Sequence, residues 1–191
     1  MTSSTWLVVG LGNPGSGYAA TRHNVGYMVA DTLAARVSGT WKKHKSGQAD
    51  AIEGRLAGER VVLARSRSYM NDSGGPVSAL LKFYGVEPDH LIVIHDELDI
   101  DFGQLRLKFG GGDNGHNGLK SIRQSTGSGD FFRVRVGIGR PMGRQTVHDF
   151  VLKAYSTIER KDLPTYLEEA GDAIESLMTR GLELTQGTYN R

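Results

Sequence analysis

The side chains best suited to chemistry are His23, Asp96 and three asparagines, Asn13, Asn71 and Asn117. Each sits in a polar segment that reads as a loop, four of them glycine-containing, Gly12-Asn13-Pro14-Gly15, Thr21-Arg22-His23-Asn24-Val25-Gly26, Tyr69-Met70-Asn71-Asp72-Ser73-Gly74 and Gly115-His116-Asn117-Gly118-Leu119-Lys120, and a fifth acidic, His95-Asp96-Glu97-Leu98-Asp99. A histidine titrates near neutrality and serves as a general base; a carboxylate beside it fixes its tautomer and stabilises the imidazolium. Asparagine amides both donate and accept, so they can orient water, grip amide groups or polarise a carbonyl. With no cysteine anywhere and no GxSxG elbow, water activated by His23 is a simpler route than a covalent intermediate.

Each of these residues also has a plain structural reading. Asn13 and Asn71 beside glycine suit turn or helix caps, and Asp96 suits a turn. Asn24, just before a helical pattern, is read as that helix's N-cap. The acidic run Asp96, Glu97, Asp99, Asp101 lacks the ligand ladder and the glycine of a calcium loop. The six histidines show neither HExxH nor HxH spacing, so no transition-metal site and no cofactor is expected.

One motif points elsewhere. Gly10-Leu11-Gly12-Asn13-Pro14-Gly15 matches GxGxxG after an expected strand, the mark of a dinucleotide site and hence of a nicotinamide-dependent oxidoreductase. In that fold the third glycine opens a helix. Here residues 16–24 read as loop, and the nearest acidic candidate, Asp31, falls inside the first helix instead of ending a second strand.

The elements that must carry these groups alternate between strand and helix patterns. Trp6 to Gly10 is a strand; Val25, Met28, Val29, Leu33 and Val37 recur at helical spacing, with Gly39 as a stop. Residues 50–56 and 59–65 form a hairpin through Ala57-Gly58. A second helix turns Val77, Leu80, Leu81 and Tyr84 inward and stops at Gly85; Leu91 to His95 is a buried strand leading into the acidic run. Phe132, Val134, Val136 and Ile138 alternate with Arg133 and Arg135, giving a strand with one apolar and one basic face. Ser156-Thr157-Ile158-Glu159 reads as a capping box, Pro164 as a first-turn proline, and Leu167, Ala170, Ile174, Leu177 and Met178 as a stripe ended by Gly181. This pattern predicts an α/β fold: one domain over residues 1–191, a twisted, mixed, largely parallel sheet with helices on both faces.

Taken together and in this order, the five polar segments resemble the motif set of bacterial peptidyl-tRNA hydrolases, from Trp6 to about Val151. The resemblance implies hydrolysis of the ester joining a peptide to the terminal ribose of tRNA. His23 is then the base, Asp96 its orienter, and the three asparagines contact substrate and transition state. It further implies that Tyr18 lines the route to the site, that Lys108 and Arg135 clamp a tRNA phosphate, and that the protein is a monomer. Lys42, Lys43 and Lys45, the helix positions Lys120 and Arg123, and Arg133 and Arg140 are left unassigned as RNA contacts. A non-catalytic RNA-binding module accounts for the basic strand equally well but leaves the His, Asp and Asn set without a role.

The chain of 191 residues has a formal charge of only +2, which permits a nucleic-acid partner without requiring one. The first strand has no basic flank of the kind a signal peptide needs, and no run approaches the ~20 apolar residues that span a bilayer. A cytoplasmic location with no membrane contact is the expectation.

Overall fold

A computed structural model describes residues 4–46 and 48–190. Seven strands form one sheet: β1 (Trp6–Gly10), β2 (Lys42–Lys43), β3 (Ala49–Leu56), β4 (Glu59–Ser66), β5 (Leu91–Glu97), β6 (Leu105–Phe109) and β7 (Phe132–Gly137). Six helices accompany them: α1 (Val25–Arg36), α2 (Gly74–Tyr84), α3 (Asn117–Thr126), α4 (Val147–Val151), α5 (Thr157–Arg180) and α6 (Leu182–Tyr189). The strand order is β2-β3-β4-β1-β5-β7-β6. The central strands β4, β1, β5 and β7 run parallel, and the antiparallel pairings are confined to the two flanks.

Period-two alternation sends successive strand residues to opposite faces, and each face has its own helices. Val8, Ile92, Ile94, Val134 and Val136 pack with Val29 and Leu33 of α1 and with Ala170, Ile174 and Leu177 of α5. Leu7, Val9, Leu91 and Val93 pack instead with Val77 and Leu80 of α2 and Leu119 and Ile122 of α3. Burial on both faces explains why β5 reads as a continuous apolar run.

The expected hairpin forms, with positive φ at both Ala57 (52°) and Gly58 (82°), the twist a two-residue connection demands. The capping box at Ser156 and Glu159 also forms. It starts α5 at Thr157, so Pro164 lies inside a 24-residue helix and not in its first turn. The proline removes the N–H that would otherwise reach the carbonyl four residues back, a local loss that α5 tolerates because its Ala170 to Met178 stripe is buried.

Four elements were not legible in the sequence: β2, β6, α4 and α6. The last of these covers the sheet edge. Asn190 accepts from the Leu107 N–H at 2.8 Å and donates to the Leu107 carbonyl at 3.1 Å, and Gln186 donates to the same carbonyl at 3.0 Å. Side chains thereby occupy backbone groups that a bare edge strand would expose. They also fix β6, and with it Lys108.

Candidate active site

The site lies beyond the C-terminal ends of β1 and β5, where parallel sheets gather ligand groups. No helix opens at Gly15. The chain turns through residues 15–21 and a short 3-10 turn, Arg22–Asn24, before α1 begins at Val25. The helix approaches the sheet so closely that a Cβ at Gly26 would strike the Ile94 carbonyl and the Leu11 backbone. That close approach carries His23 to the end of β5 and onto Asp96.

Asn24 does not cap α1; no side-chain cap bond forms there. Its amide pairs with the backbone of Asn13, accepting from the Asn13 N–H and donating to the Asn13 carbonyl, both at 2.9 Å. Asn13 in turn accepts from the Met70 N–H through Oδ1 at 2.7 Å. Three loops are thus joined in series. Asn13 spends its acceptor on structure and keeps its Nδ2 amide for the cavity. Arg22, also buried, donates to the Phe150 carbonyl at 3.3 Å and to Glu159 at 3.0 Å, tying the His23 turn to α4 and α5.

Asp96 is at the centre. Its Oδ2 is 2.7 Å from His23 Nδ1, and its Oδ1 is 2.7 Å from His116 Nε2. His116 is the N-cap of α3, where its Nδ1 accepts from the Leu119 N–H at 3.3 Å. With that nitrogen accepting, the neutral ring carries its proton on Nε2 and donates it to Asp96. Both nitrogens of His116 are therefore engaged. His23 uses only Nδ1, so its Nε2 keeps a lone pair on the side of the ring away from Asp96.

Burial opposes charge on His23, but attraction and hydrogen bonding from Asp96 outweigh it, and the imidazole titrates above its ordinary value. Burial would likewise raise Asp96, yet the His23 and His116 rings hold its carboxyl well below the usual carboxylate range. His95, the preceding strand residue, has its side chain fully buried. Burial first, then the charge of His116, pushes it down to about 3. Its Nδ1 lies 2.8 Å from the Asp96 carbonyl, and its Nε2 has no hydrogen-bond partner.

A cavity of about 490 Å³ opens above this centre. Asn13, Tyr18, His23, Asn71, Asp96 and Asn117 all line it, so six of the eight residues singled out in the sequence converge. Asn71 and Asn117 are exposed at its rim, and Tyr18 meets Tyr69 edge-on at 6.2 Å between ring centres. His116 and Glu97 also line the cavity and were missed. His116 stood beside Asn117 in a quoted motif, but nothing in linear spacing ties it to Asp96, twenty residues earlier.

Lys108 and Arg135 are not among the cavity-lining residues. They sit on adjacent antiparallel strands, where Lys108 pairs with Arg133 and Arg106 with Arg135. Burial and then repulsion from Arg135 and Arg133 lower the Lys108 ammonium. Burial also lowers Arg135, against the attraction of Glu97. Glu97, on the cavity wall, acts on both cations and links the two regions electrostatically.

Arg133 does not share a solvated basic face with Arg135. It is 1% exposed, donates to the carbonyls of Gly111 (2.9 Å), Gly112 and Gly129 (3.0 Å), and lies over the Phe131 ring. A guanidinium with that many carbonyl partners holds the glycine loop in place. Arg140 is paired with Asp99 at 2.7 Å. Lys42, Lys43 and Lys45 line a different cavity beside α2 residues Phe83 and Tyr84.

A parallel-centred α/β sheet here gathers a histidine, its carboxylate partner and three asparagines at one cavity, groups of the kind that hydrolytic enzymes use. The peptidyl-tRNA hydrolase family model matches residues 7–191. Curated relatives include peptidyl-tRNA hydrolases of Frankia alni, 58% identical over 97% of this chain and 93% of that protein, and of Streptomyces coelicolor, 56% identical over 97% and 94%. The crystal structure of peptidyl-tRNA hydrolase from Acinetobacter baumannii superposes with a TM-score of 0.90 at 35% identity, covering 98% of this chain and 95% of that one. The chain belongs to the peptidyl-tRNA hydrolase family.

Proposed function

We propose that this protein hydrolyses the ester between the peptide and the 3'-terminal ribose of peptidyl-tRNA, as a single domain, residues 1–191, acting as a cytoplasmic monomer. The observation that carries the mechanism is the 2.7 Å contact between His23 Nδ1 and Asp96 Oδ2, which leaves Nε2 as the one imidazole lone pair directed away from Asp96. Nε2 takes a proton from water as the oxygen attacks the ester carbonyl. The resulting imidazolium is stabilised by the ionised Asp96 and returns the proton to the departing ribose oxygen. Asn13 Nδ2, with Asn71 and Asn117, holds the carbonyl oxygen and the peptide amides. Tyr18 and Tyr69 flank the entry of the chain. Lys108 and Arg135 take a tRNA phosphate, whose negative charge favours both cations against the burial that lowers them. Among the described residues no helix is long and apolar enough to cross a membrane.

The deciding experiment is single-turnover hydrolysis of a defined N-acyl-aminoacyl-tRNA by His23→Ala. The rate falls by ~10²–10⁴ while tRNA affinity holds. A folded variant with near-normal turnover removes His23 from this role.

A further inference from the structure

Spacing along the chain offers no metal motif, yet folding assembles a ligand set. His23, Asp96 and His116 form the one cluster of three such groups among the described residues whose ligand atoms lie within 4.8 Å of one another. Their side chains are 17%, 3% and 10% exposed. The two imidazole nitrogens each meet a different oxygen of one carboxylate, so a cation seated on Asp96 has a nitrogen on either flank.

Two imidazoles and a carboxylate suit a borderline cation such as Zn²⁺ better than Mg²⁺ or Ca²⁺, which prefer all-oxygen shells. Zinc binds nitrogen at ~2.0–2.1 Å, and a tetrahedral arrangement sets its nitrogens roughly 3.4 Å apart. Two ligand nitrogens no more than 4.8 Å apart reach that separation by moving about 0.7 Å each. The Asp96 carboxylate supplies the negative charge, and the cavity above admits water as the fourth ligand.

We propose that zinc-class divalent ions bind at His23, Asp96 and His116 and inhibit the enzyme; the inhibition rests on His23 being the base. A metal on Nδ1 leaves the ring proton on Nε2, so the lone pair that must accept a proton from water is gone. The ion is an antagonist of the proton relay and not a cofactor. Its entry breaks both hydrogen bonds to Asp96 and, by moving the His116 proton to Nδ1, the 3.3 Å cap contact with Leu119. Affinity is accordingly micromolar, below that of dedicated structural zinc sites.

Calorimetric titration of the metal-stripped protein with zinc chloride tests the site, and the visible spectrum with Co²⁺ reports the ligand type. One ion per chain is expected, with Kd on the order of 1–10 μM. Asp96→Asn and His116→Ala each weaken binding at least about tenfold, and either suffices should the other fail to fold. His148→Ala, on the cavity wall but outside the ligand set, leaves it unchanged. Turnover, with magnesium kept for the tRNA, falls with the same zinc midpoint and returns with a small excess of EDTA. Absent binding, or binding indifferent to both ligand substitutions, overturns the site and leaves His23 as base untouched. Ligand-dependent binding without loss of turnover overturns the inhibition and, with it, the assignment of the base.

Discussion

His116 Nε2 lies 2.7 Å from Asp96 Oδ1, the oxygen that His23 leaves free. Because the Leu119 N–H occupies His116 Nδ1, hydrogen bonds run in sequence from the first turn of α3 through His116 to Asp96, with His23 entering from the other side. The N-cap of a helix and the carboxylate that holds His23 are thus one connected unit. Asp96 has two charge-assisted or polar donors, stays ionised despite burial, and directs a fixed tautomer of His23 toward the cavity.

The pH dependence of kcat/KM follows from this arrangement. His23 acts only when neutral, and Asp96 raises its titration above the ordinary value, so the acid limb has its midpoint above ~6.5. Asp96→Asn removes both contributions that raise it and leaves burial, which lowers it. The acid limb of the variant therefore moves to lower pH while the plateau falls by ~10²–10⁴. A pH–rate profile measures both, and a limb that stays in place refutes the pairing.

Lys108 and Arg135 are separable from the chemistry by salt. Lys108→Gln or Arg135→Gln raises KM, leaves kcat at saturation near its original value, and reduces the slope of log affinity against log salt by about one per contact. Arg133→Gln behaves differently. Its guanidinium is bound to three carbonyls, so its loss lowers the melting temperature and loosens the 110–112 loop. Equal salt slopes for Lys108→Gln and the unmodified protein remove Lys108 from the tRNA surface.

Much of this was legible in the sequence because local rules and tertiary structure agree. The alternation of Val8 with Leu7 and Val9, the stripe of α5 and the turn at Ala57-Gly58 each follow from periodicity or turn chemistry. Asn13, His23, Asn71, Asp96 and Asn117 were legible as candidates because each stands in a polar segment at or beside the end of a helix or strand. Most of what failed shares one cause, competition between partners that are distant in sequence. Asn24 had a good local reason to cap α1, but the Asn13 backbone offered two bonds at once. Arg133 alternates with Arg135 as a surface residue does, but three carbonyls beyond the strand draw it inward. His116 meets Asp96 only because β5 and the start of α3 converge. The shortness of β6 and α4, five residues each, left too little periodicity to read.

Acid sensitivity has a source next to the active site. The folded protein holds His95 neutral down to about 3, whereas the unfolded chain protonates it near 6.5. The lowered value means that folding excludes a proton, so stability is fully present above ~6.5 and drains as pH falls toward 3, by roughly 1.4 kcal/mol per unit. His95→Leu loses the bond to the Asp96 carbonyl and is less stable at pH 7, but its stability declines less between pH 6.5 and 4.5. Urea midpoints at both pH values give the comparison. An identical decline in variant and parent rules out His95 as the source.

With the asparagines as the proposed substrate contacts, discrimination between peptidyl-tRNA and aminoacyl-tRNA is expected to fall to them, each with a different share of the work. Asn13 has committed one lone pair of Oδ1 to the Met70 N–H, and its Nδ2 offers the substrate a donor suited to a carbonyl oxygen. Asn71 and Asn117 are exposed at the cavity rim and keep an acceptor for the N–H of the substrate's last peptide bond. An aminoacyl-tRNA presents an ammonium there instead, without the carbonyl partner and with tightly held water to lose. Sites that leave buried polar groups unpaired by the wrong substrate discriminate by up to ~10⁴. N-acetylation of an aminoacyl-tRNA therefore raises kcat/KM strongly. Asn117→Asp keeps the acceptor, removes the donor and adds a charge that attracts ammonium, so it narrows the ratio between the two substrates. Asn13→Asp replaces the Nδ2 donor with a carboxylate oxygen, and lowers turnover of both alike. If acetylated and free forms are hydrolysed at similar kcat/KM by the unmodified enzyme, the asparagines do not set specificity.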